Sequence, residues 1–95
     1  MPKGYIIARI EVHDPEGFKA FGPLSAIALE KFGGRILVRD PAPDIREGAL
    51  AGVAVVVEFA SVAVARDFYE SPEYTDARAA RDKASVTDLR IVEGV

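Results

Sequence analysis

Four short segments of the chain alternate between two kinds of residue, and this alternation constrains the fold most strongly. Successive side chains of a β-strand point to opposite faces of its sheet, so every second residue shares a face. All four segments are rich in apolar and β-branched residues, and three of them are bounded by Gly, Pro or Asp. We therefore predict four strands. They are Tyr5 to Val12, Gly34 to Asp40, Ala51 to Phe59 and Thr87 to Glu93.

A helix is predicted between the first two strands. It starts at Asp14-Pro15-Glu16, because Asp can cap, Pro suits the first helical position and Glu complements the helix dipole. Apolar residues then recur at close to helical spacing as far as Phe32. Gly22-Pro23 predicts a kink, since proline removes a backbone hydrogen bond, and Gly33-Gly34 predicts a left-handed end.

A second helical region is predicted between the last two strands, in two pieces. Ser61 caps the first piece, which runs through Glu70, and Ser71-Pro72-Glu73 starts the second, which runs to about Ala84. The order β-α-β-β-α-β predicts a ferredoxin-like α+β fold, with a four-stranded antiparallel sheet and helices on one face. The length of 95 residues corresponds to a single domain, residues 1–95.

The predicted strands have one uniformly apolar face, which we call the first face. A face without any polar residue must be covered, so we expect the helices to pack on it. Its predicted members are Ile6, Ala8, Ile10, Val12, Ile36, Val38, Val53, Val55, Val57, Phe59, Leu89 and Ile91.

The opposite face, which we call the second face, mixes apolar and charged residues. A monomer core would not hold seven charges, and a face in open water would be more uniformly polar. The mixture favours two copies whose sheets face each other across a partly wet cavity, and a merely solvated face is the alternative. Its predicted members are Tyr5, Ile7, Arg9, Glu11, Arg35, Leu37, Arg39, Ala54, Val56, Glu58, Asp88, Arg90 and Val92.

Composition supports a homodimer and argues against several other partners. A domain of this size buries only about 60–65% of the surface of its unfolded chain, so its stability is marginal. Because the chain has no Cys, disulfides cannot add stability, and we expect association with a second copy to do so. The net charge of −3, without a basic stripe, argues against nucleic acid. No apolar run is long enough for a membrane span, and no signal peptide is recognisable, so we expect a cytoplasmic protein.

Six stretches of the chain resemble the uncharacterised domain family numbered 1330. The resemblance covers essentially the whole chain in order, and its most specific parts are Phe-Gly-Gly-Arg and Tyr-x-Ser-Pro-x-Tyr. The stretches are Gly4-Tyr-Ile-Ile-Ala-Arg9, His13-Asp-Pro-Glu16, Lys31-Phe-Gly-Gly-Arg-Ile-Leu-Val-Arg39, Glu58-Phe59, Phe68-Tyr-Glu-Ser-Pro-Glu-Tyr74 and Ile91-Val-Glu-Gly94.

This resemblance implies a dimeric α+β barrel, the superfamily to which that family belongs. The superfamily also contains cofactor-independent monooxygenases, muconolactone isomerases, haem-degrading enzymes and stress-response proteins. The family itself has no agreed activity, so the resemblance implies the dimeric barrel and leaves the function open.

Candidate ligand-binding residues lie on the second face and at the helix break. Arg9, Arg35, Arg39 and Arg90 could hold a carboxylate or enolate, and pairing with Glu11, Glu58 or Asp88 is the alternative. We also expect Tyr5 and Tyr74 to contact a ligand. Tyr74 and Tyr69 flank the Ser71-Pro72 break, where a hydroxyl can point into a cleft, although ordinary packing is the alternative.

Candidate catalytic residues are His13, Glu58 and Tyr69. His13 is the only histidine and lies beside Asp14, so it could act as a general base, or it is a loop residue without a role. Glu58 is a carboxylate in the most apolar strand, which marks a proton-transfer candidate, and a salt bridge to Arg35 or Arg39 is the alternative. One His offers too few ligands for a metal site, and we expect no metal or cofactor.

Three functions remain open from the sequence. The first is a homodimer that binds a small anionic or aromatic metabolite in a cavity at the interface between the two sheets. The second is a cofactor-independent oxygenase or isomerase that acts on an acidic, enolisable substrate, in which the arginines stabilise an enolate. The third is a purely structural dimerisation module, which predicts a filled interface with every charge paired.

Overall fold

The computed structural model describes residues 2–95, and the predicted order of elements is confirmed. The strands are β1 (Gly4–Val12), β2 (Arg35–Asp40), β3 (Val53–Phe59) and β4 (Ser85–Glu93). They form one antiparallel sheet in the order β2-β3-β1-β4. The helices are α1 (Pro15–Phe18), α2 (Phe21–Phe32), α3 (Val62–Glu70) and α4 (Pro72–Ala84).

The break in the first helical region lies earlier than the sequence predicted. We expected a kink at Gly22-Pro23, but the helix is interrupted at Lys19 and Ala20, and α2 begins at Phe21. Pro23 therefore occupies the first turn of α2, where a backbone N–H has no intrahelical acceptor. The missing N–H costs nothing there, so Pro23 supports the start of a helix instead of bending one.

The predicted caps are confirmed. The side chains of Asp14, Ser61 and Ser71 accept hydrogen bonds from the first turns of α1, α3 and α4. Gly33 ends α2 in the left-handed conformation, with a φ of 67°. The Ser71 hydroxyl also donates to the Phe68 carbonyl at 2.7 Å, so one buried serine fixes the junction of α3 and α4.

The helices cover the first face of the sheet, as predicted. The core there is built from β1 and β3 residues such as Ile6, Val57 and Phe59, which pack against Phe68 and Ala77 of the helices. Phe59 is the largest fully buried side chain, and its ring lies 4.9 Å from that of Phe68. This packing fixes α3 and α4 against the centre of the sheet, because dense apolar contact leaves few alternative arrangements.

A β-bulge in β2 corrects part of the predicted face assignment. Arg35 pairs with Glu58 and Ile36 with Val57, but the register then shifts and Val38 pairs with Val56. An extra residue in one strand turns every following side chain to the opposite face. Arg39 consequently pairs with Val55 of the first face, and Val38 joins the second face, each contrary to the prediction.

The second face carries large apolar side chains that are open to solvent in the single chain. Ile7, at the centre of β1, is 47% exposed, and Leu37, Val38 and Val86 are exposed as well. All six residues of β2 are exposed, which marks it as an edge strand with little helix cover. Within residues 2–95, no helix has the length and apolar character needed to cross a bilayer.

Candidate functional site

A cavity of about 410 Å³ lies between the first face of the sheet and the helices. We expected a ligand cavity on the second face, but this larger cavity lies on the opposite side of the sheet. Small residues such as Ala8, Gly22 and Ser25 line it, so the helices and the sheet do not close completely on each other. Its volume is within the range of sites that hold drug-sized ligands.

Aromatic rings form one side of this cavity. Phe18 and Phe21 come from α1 and α2, and their ring centroids are 5.3 Å apart. Tyr74 of α4 meets Phe21 edge-on at 6.4 Å and lies 4.3 Å from Phe68. These separations are those of favourable aromatic pairs, so a flat apolar ligand would find several ring faces and edges to pack against.

Four of the 18 lining residues carry polar side chains, and two of these are arginines. Arg81 of α4 is only 5% exposed, and its Nη1 donates to the Tyr74 hydroxyl at 3.1 Å. Its Nε and Nη2 donate to Oδ1 of the neighbouring Asp82 at 3.3 and 3.2 Å. The Asp82 side chain is largely exposed. The buried Arg81 guanidinium is therefore paired with a carboxylate that lies mostly in water.

Burial raises the pKa of Tyr74 above its ordinary value, and the nearby Arg81 guanidinium opposes this rise. The hydroxyl therefore stays protonated at neutral pH. Because it accepts the hydrogen bond from Arg81, its own proton is directed elsewhere. Tyr74 can thus donate a hydrogen bond to a group inside the cavity.

The second arginine of the cavity is Arg39, which the bulge in β2 turns to the first face. It is exposed, as are the neighbouring lining residues Ile36 and Pro41. These exposed members lie along the edge strand, so the cavity opens to solvent there. Within residues 2–95, Arg39 forms no ion pair, and no carboxylate is among the lining residues.

On the second face, Arg9 donates hydrogen bonds to two carboxylates and to the backbone carbonyl of Ala51. It donates to Asp88 at 2.6 and 3.0 Å and to Glu11 at 3.2 Å. The hydrogen bond with Asp88 is the main cause that raises the pKa of Arg9. Of the two alternatives left open by the sequence, Arg9 therefore shows the pairing with neighbouring carboxylates.

Tyr5 and Glu58 meet each other on the same face. The Tyr5 hydroxyl donates to Glu58 at 3.2 Å. Desolvation is the main cause that raises the pKa of Tyr5, and this hydrogen bond is the second cause. Glu58 also lies 3.8 Å from the Lys3 ammonium, so its ion pair is with Lys3, whereas Arg35 and Arg39 were the expected partners. Both side chains of this pair lie away from the larger cavity.

Arg90 lines a smaller cavity of about 220 Å³ on the second face, together with Arg9 and Asp88. Arg35 also lies on this face, opposite Glu58 in the register. Within the described part of the chain, neither Arg35 nor Arg90 forms an ion pair. The predicted cluster of four arginines is thus divided, with Arg39 on the first face and the other three on the second.

His13 and Tyr69 lie outside both cavities. His13 is exposed at the end of β1, where its backbone N–H donates to the Ala84 carbonyl at 2.9 Å. The Tyr69 hydroxyl accepts a hydrogen bond from Arg78 at 3.1 Å, and the Arg78 guanidinium stacks 4.3 Å from the Tyr69 ring. The three predicted proton-transfer residues, His13, Glu58 and Tyr69, are therefore not brought together at the larger cavity.

Arg81 lines the cavity, and the sequence pattern alone did not single it out. Its signal was its position on α4, because Tyr74, Ala77, Arg81 and Ala84 recur at helical spacing and are all buried. An arginine on an otherwise apolar helical stripe must find an unusual environment. Within residues 2–95, no group of three or more His, Asp or Glu side chains is placed to hold a metal ion.

The fold and the cavity define a class of protein: a small ferredoxin-like α+β domain with a ligand-sized space between its sheet and its helices. The chain belongs to the family described as Domain of unknown function (DUF1330), whose model matches residues 3–95. The resemblance seen in the sequence is thus confirmed. A comparison with curated proteins gave no match.

Solved structures with the same fold include proteins of different description. RPA0582, a protein of unknown function from Rhodopseudomonas palustris, has a TM-score of 0.79 at 18% identity, over 99% of this chain and 83% of its own. SnoaB, a cofactor-independent oxygenase from Streptomyces nogalater, has a TM-score of 0.68 at 16% identity, over 97% and 92%. A dimeric protein of unknown function from Bacteroides fragilis has a TM-score of 0.57 at 14% identity, over 96% and 95%.

Proposed function

We propose that this protein is a homodimer that binds a small aromatic or otherwise apolar anion. The ligand occupies the cavity between the first face and the helices of each subunit, and does not lie between the two sheets. One observation carries the proposal: a largely apolar cavity of about 410 Å³ whose charged lining residues are both arginines. Buried charge without a close, equally buried partner is costly, and an anionic ligand would relieve that cost.

The second face provides the surface for dimerisation. Its exposed Ile7, Leu37 and Val38 form an apolar patch among charged residues, and such patches usually mark an interface. The ferredoxin-like neighbour from Bacteroides fragilis is described as dimeric. Dimerisation through this face leaves the helix-side cavity of each subunit accessible along β2. A cytoplasmic location remains a prediction from the sequence.

Calorimetric titration with 2-naphthoate tests the binding proposal. This probe combines two fused aromatic rings with one carboxylate, and we expect about one molecule to bind per chain. Val55→Phe replaces a small side chain of the cavity wall by a phenyl ring that occupies the ligand's space. It should weaken binding about tenfold or more. Val56→Phe is the matched control, because the next residue of β3 faces the other side of the sheet. Equal affinities of the two variants, or no binding to the unmodified protein, would contradict the proposal.

A second candidate function is a cofactor-independent oxygenase or isomerase. The pairing of a protonated Tyr74 with Arg81 favours it, because these donors could stabilise an enolate. The likeness to SnoaB is a likeness of fold. Against it, no His, Asp or Glu lines the cavity within residues 2–95, so the base that would remove the substrate proton lacks a candidate there.

Hydrogen–deuterium exchange distinguishes the enzyme from the binding protein. The α-protons of 2-tetralone, an enolisable ketone similar in size to naphthoate, exchange with D2O only through an enol or enolate. An oxygenase or isomerase of this kind should accelerate the exchange, as followed by proton NMR. Our proposal predicts the same exchange rate with and without the protein. Acceleration that is lost in Tyr74→Phe would favour the enzyme.

A further inference from the structure

The hydroxyl of Tyr74 and the guanidinium of Arg81 form a unit at the helix side of the cavity. The two residues lie seven positions apart on α4, which places both on one helix face, and they are joined by the 3.1 Å hydrogen bond. Both are buried, with 5% of each residue exposed. Such placement is costly for an arginine unless its donors are used.

The donors of this unit are only partly used by the protein. An arginine carries five N–H groups, and three of those of Arg81 are engaged with Tyr74 and Asp82. Two N–H groups therefore remain, next to the hydroxyl proton of Tyr74, which Arg81 cannot accept. Ser25, the other polar residue of the cavity besides Arg39, already donates its hydroxyl to the Gly22 carbonyl at 3.1 Å.

We infer that Tyr74 and Arg81 form an oxyanion-binding subsite that selects a conjugated carboxylate or enolate on an aromatic body. This inference rests on the proposed function and names the part of the cavity that recognises charge. Planar oxyanions fit it because guanidinium N–H groups and a phenolic O–H can converge on one flat group. Phe68 and Phe21, which flank Tyr74, then receive the aromatic body.

Arg78 and Tyr69 form a comparable pair outside the cavity and supply a control. The Tyr69 hydroxyl accepts from Arg78 at 3.1 Å, and the Tyr69 ring lies 5.8 Å from that of Tyr74. Tyr69→Phe therefore removes the same type of hydrogen bond from the same helix junction without removing a donor from the cavity. A change in helix packing would affect both variants, whereas loss of the subsite affects only Tyr74→Phe.

The test compares three probes: 2-naphthoate, its uncharged methyl ester, and 2-hydroxy-1,4-naphthoquinone, whose enol is ionised at neutral pH. The measured quantity is the ratio of the affinity for each anion to that for the ester, which cancels general damage to the cavity. We expect the unmodified protein to prefer the anions, and Tyr74→Phe to reduce that preference about tenfold, since hydrogen bonds to charged groups are the strong ones. Tyr69→Phe should leave the ratio unchanged.

Arg81→Lys provides a second variant that keeps the positive charge and removes the planar fork. It should also reduce the preference for the anions, because an ammonium group is a point charge without paired donors. A loss with one anion alone assigns the subsite to that chemistry, carboxylate or enolate. An unchanged anion-to-ester ratio in both variants would overturn the subsite while leaving the cavity proposal standing. Absence of binding by all three probes would overturn both.

Discussion

Gly4 lies at the start of β1 where the strand passes against the chain entering α3. A Cβ at this position would overlap the backbone carbonyl group of Ser61 and the backbone nitrogen of Val62. Backbone atoms of a capped helix cannot move aside as a flexible side chain can. The glycine therefore permits the close packing of the start of α3 on β1.

Gly4→Ala should lower the free energy of unfolding by about 3 kcal/mol, since inserted atoms in a packed site force the backbone to shift. Urea unfolding followed by far-UV circular dichroism measures this. Gly22→Ala is the control, because a Cβ there meets nothing within 4 Å and lies in a helix. It should leave stability unchanged or raise it by less than about 1 kcal/mol. Equal stabilities of the two variants would show that the close approach at Gly4 is misplaced.

At the scale of single elements, β2 decides which charges reach the cavity. Its bulge near Leu37 separates Arg35 and Arg39, which simple alternation would place on one face. The sequence Arg35–Asp40 contains no glycine or proline that marks the bulge, so alternation alone led to the wrong face for Arg39. The position of an extra residue is set by pairing with β3, which lies far away in the chain.

The two arginines of β2 should consequently differ in their effect on binding. Arg39→Ala should weaken binding of 2-naphthoate about threefold to tenfold, because it removes an exposed cation from the cavity. Arg35→Ala, four residues earlier on the second face, should leave affinity within error. Both residues are exposed, so neither change should alter the thermal midpoint by much. Equal loss in the two variants would argue against the bulge.

A salt bridge joins α2 to α4. Lys31 lies 2.9 Å from Glu73, and this hydrogen bond is the main cause that lowers the pKa of the Glu73 carboxyl. A carboxylate with a lowered pKa in the folded state stabilises the protein above its ordinary value of 4.5. That contribution declines below this value and is lost once the pH falls through the folded pKa.

Glu73→Gln should therefore be less stable than the unmodified protein at pH 7 and equally stable in acid. Thermal midpoints measured between pH 7 and pH 2 give the difference at each pH. Glu70→Gln, at the end of α3, is a suitable control, because no ion pair involves Glu70 within residues 2–95. A difference that persisted unchanged in acid would mean that Glu73 acts through packing alone.

At the scale of the whole molecule, the two faces of the sheet differ in what they carry. The first face carries the core and the cavity, and the second face carries the apolar patch around Ile7. Alternation in the sequence predicted both faces for β1, β3 and β4 correctly. It did not predict the cavity, because a gap between sheet and helices depends on how small residues from distant segments meet.

The residues that line the cavity could be anticipated from the sequence only in part. Tyr74 was expected to contact a ligand because of the Ser71-Pro72 break, and it does line the cavity. Arg81 was missed, since its burial follows from the way α4 packs and not from any local motif. Arg9 and Tyr5 were expected at a ligand site, but their carboxylate neighbours lie across strands and already engage them.

The second face should support the dimer. Ile7→Glu places a charge at the centre of the patch and should convert a dimer into a monomer, since an unpaired charge opposes burial. Ile27→Glu, at a 58% exposed position on α2, should remain dimeric. Light scattering coupled to size-exclusion chromatography measures the mass of each. If the unmodified protein were a monomer, or if both variants stayed dimeric, another surface or none would form the interface.

A crystal structure of the protein grown with 2-naphthoate tests the central claim most directly. The account predicts that the naphthalene rings lie between the first face and the helices, beside Phe68, with the carboxylate within hydrogen-bonding distance of Tyr74 and Arg81. Naphthoate bound instead on the second face, at the smaller cavity between Arg9 and Arg90, would contradict it. That result would instead favour the ligand site predicted from the sequence, between the sheets of two copies.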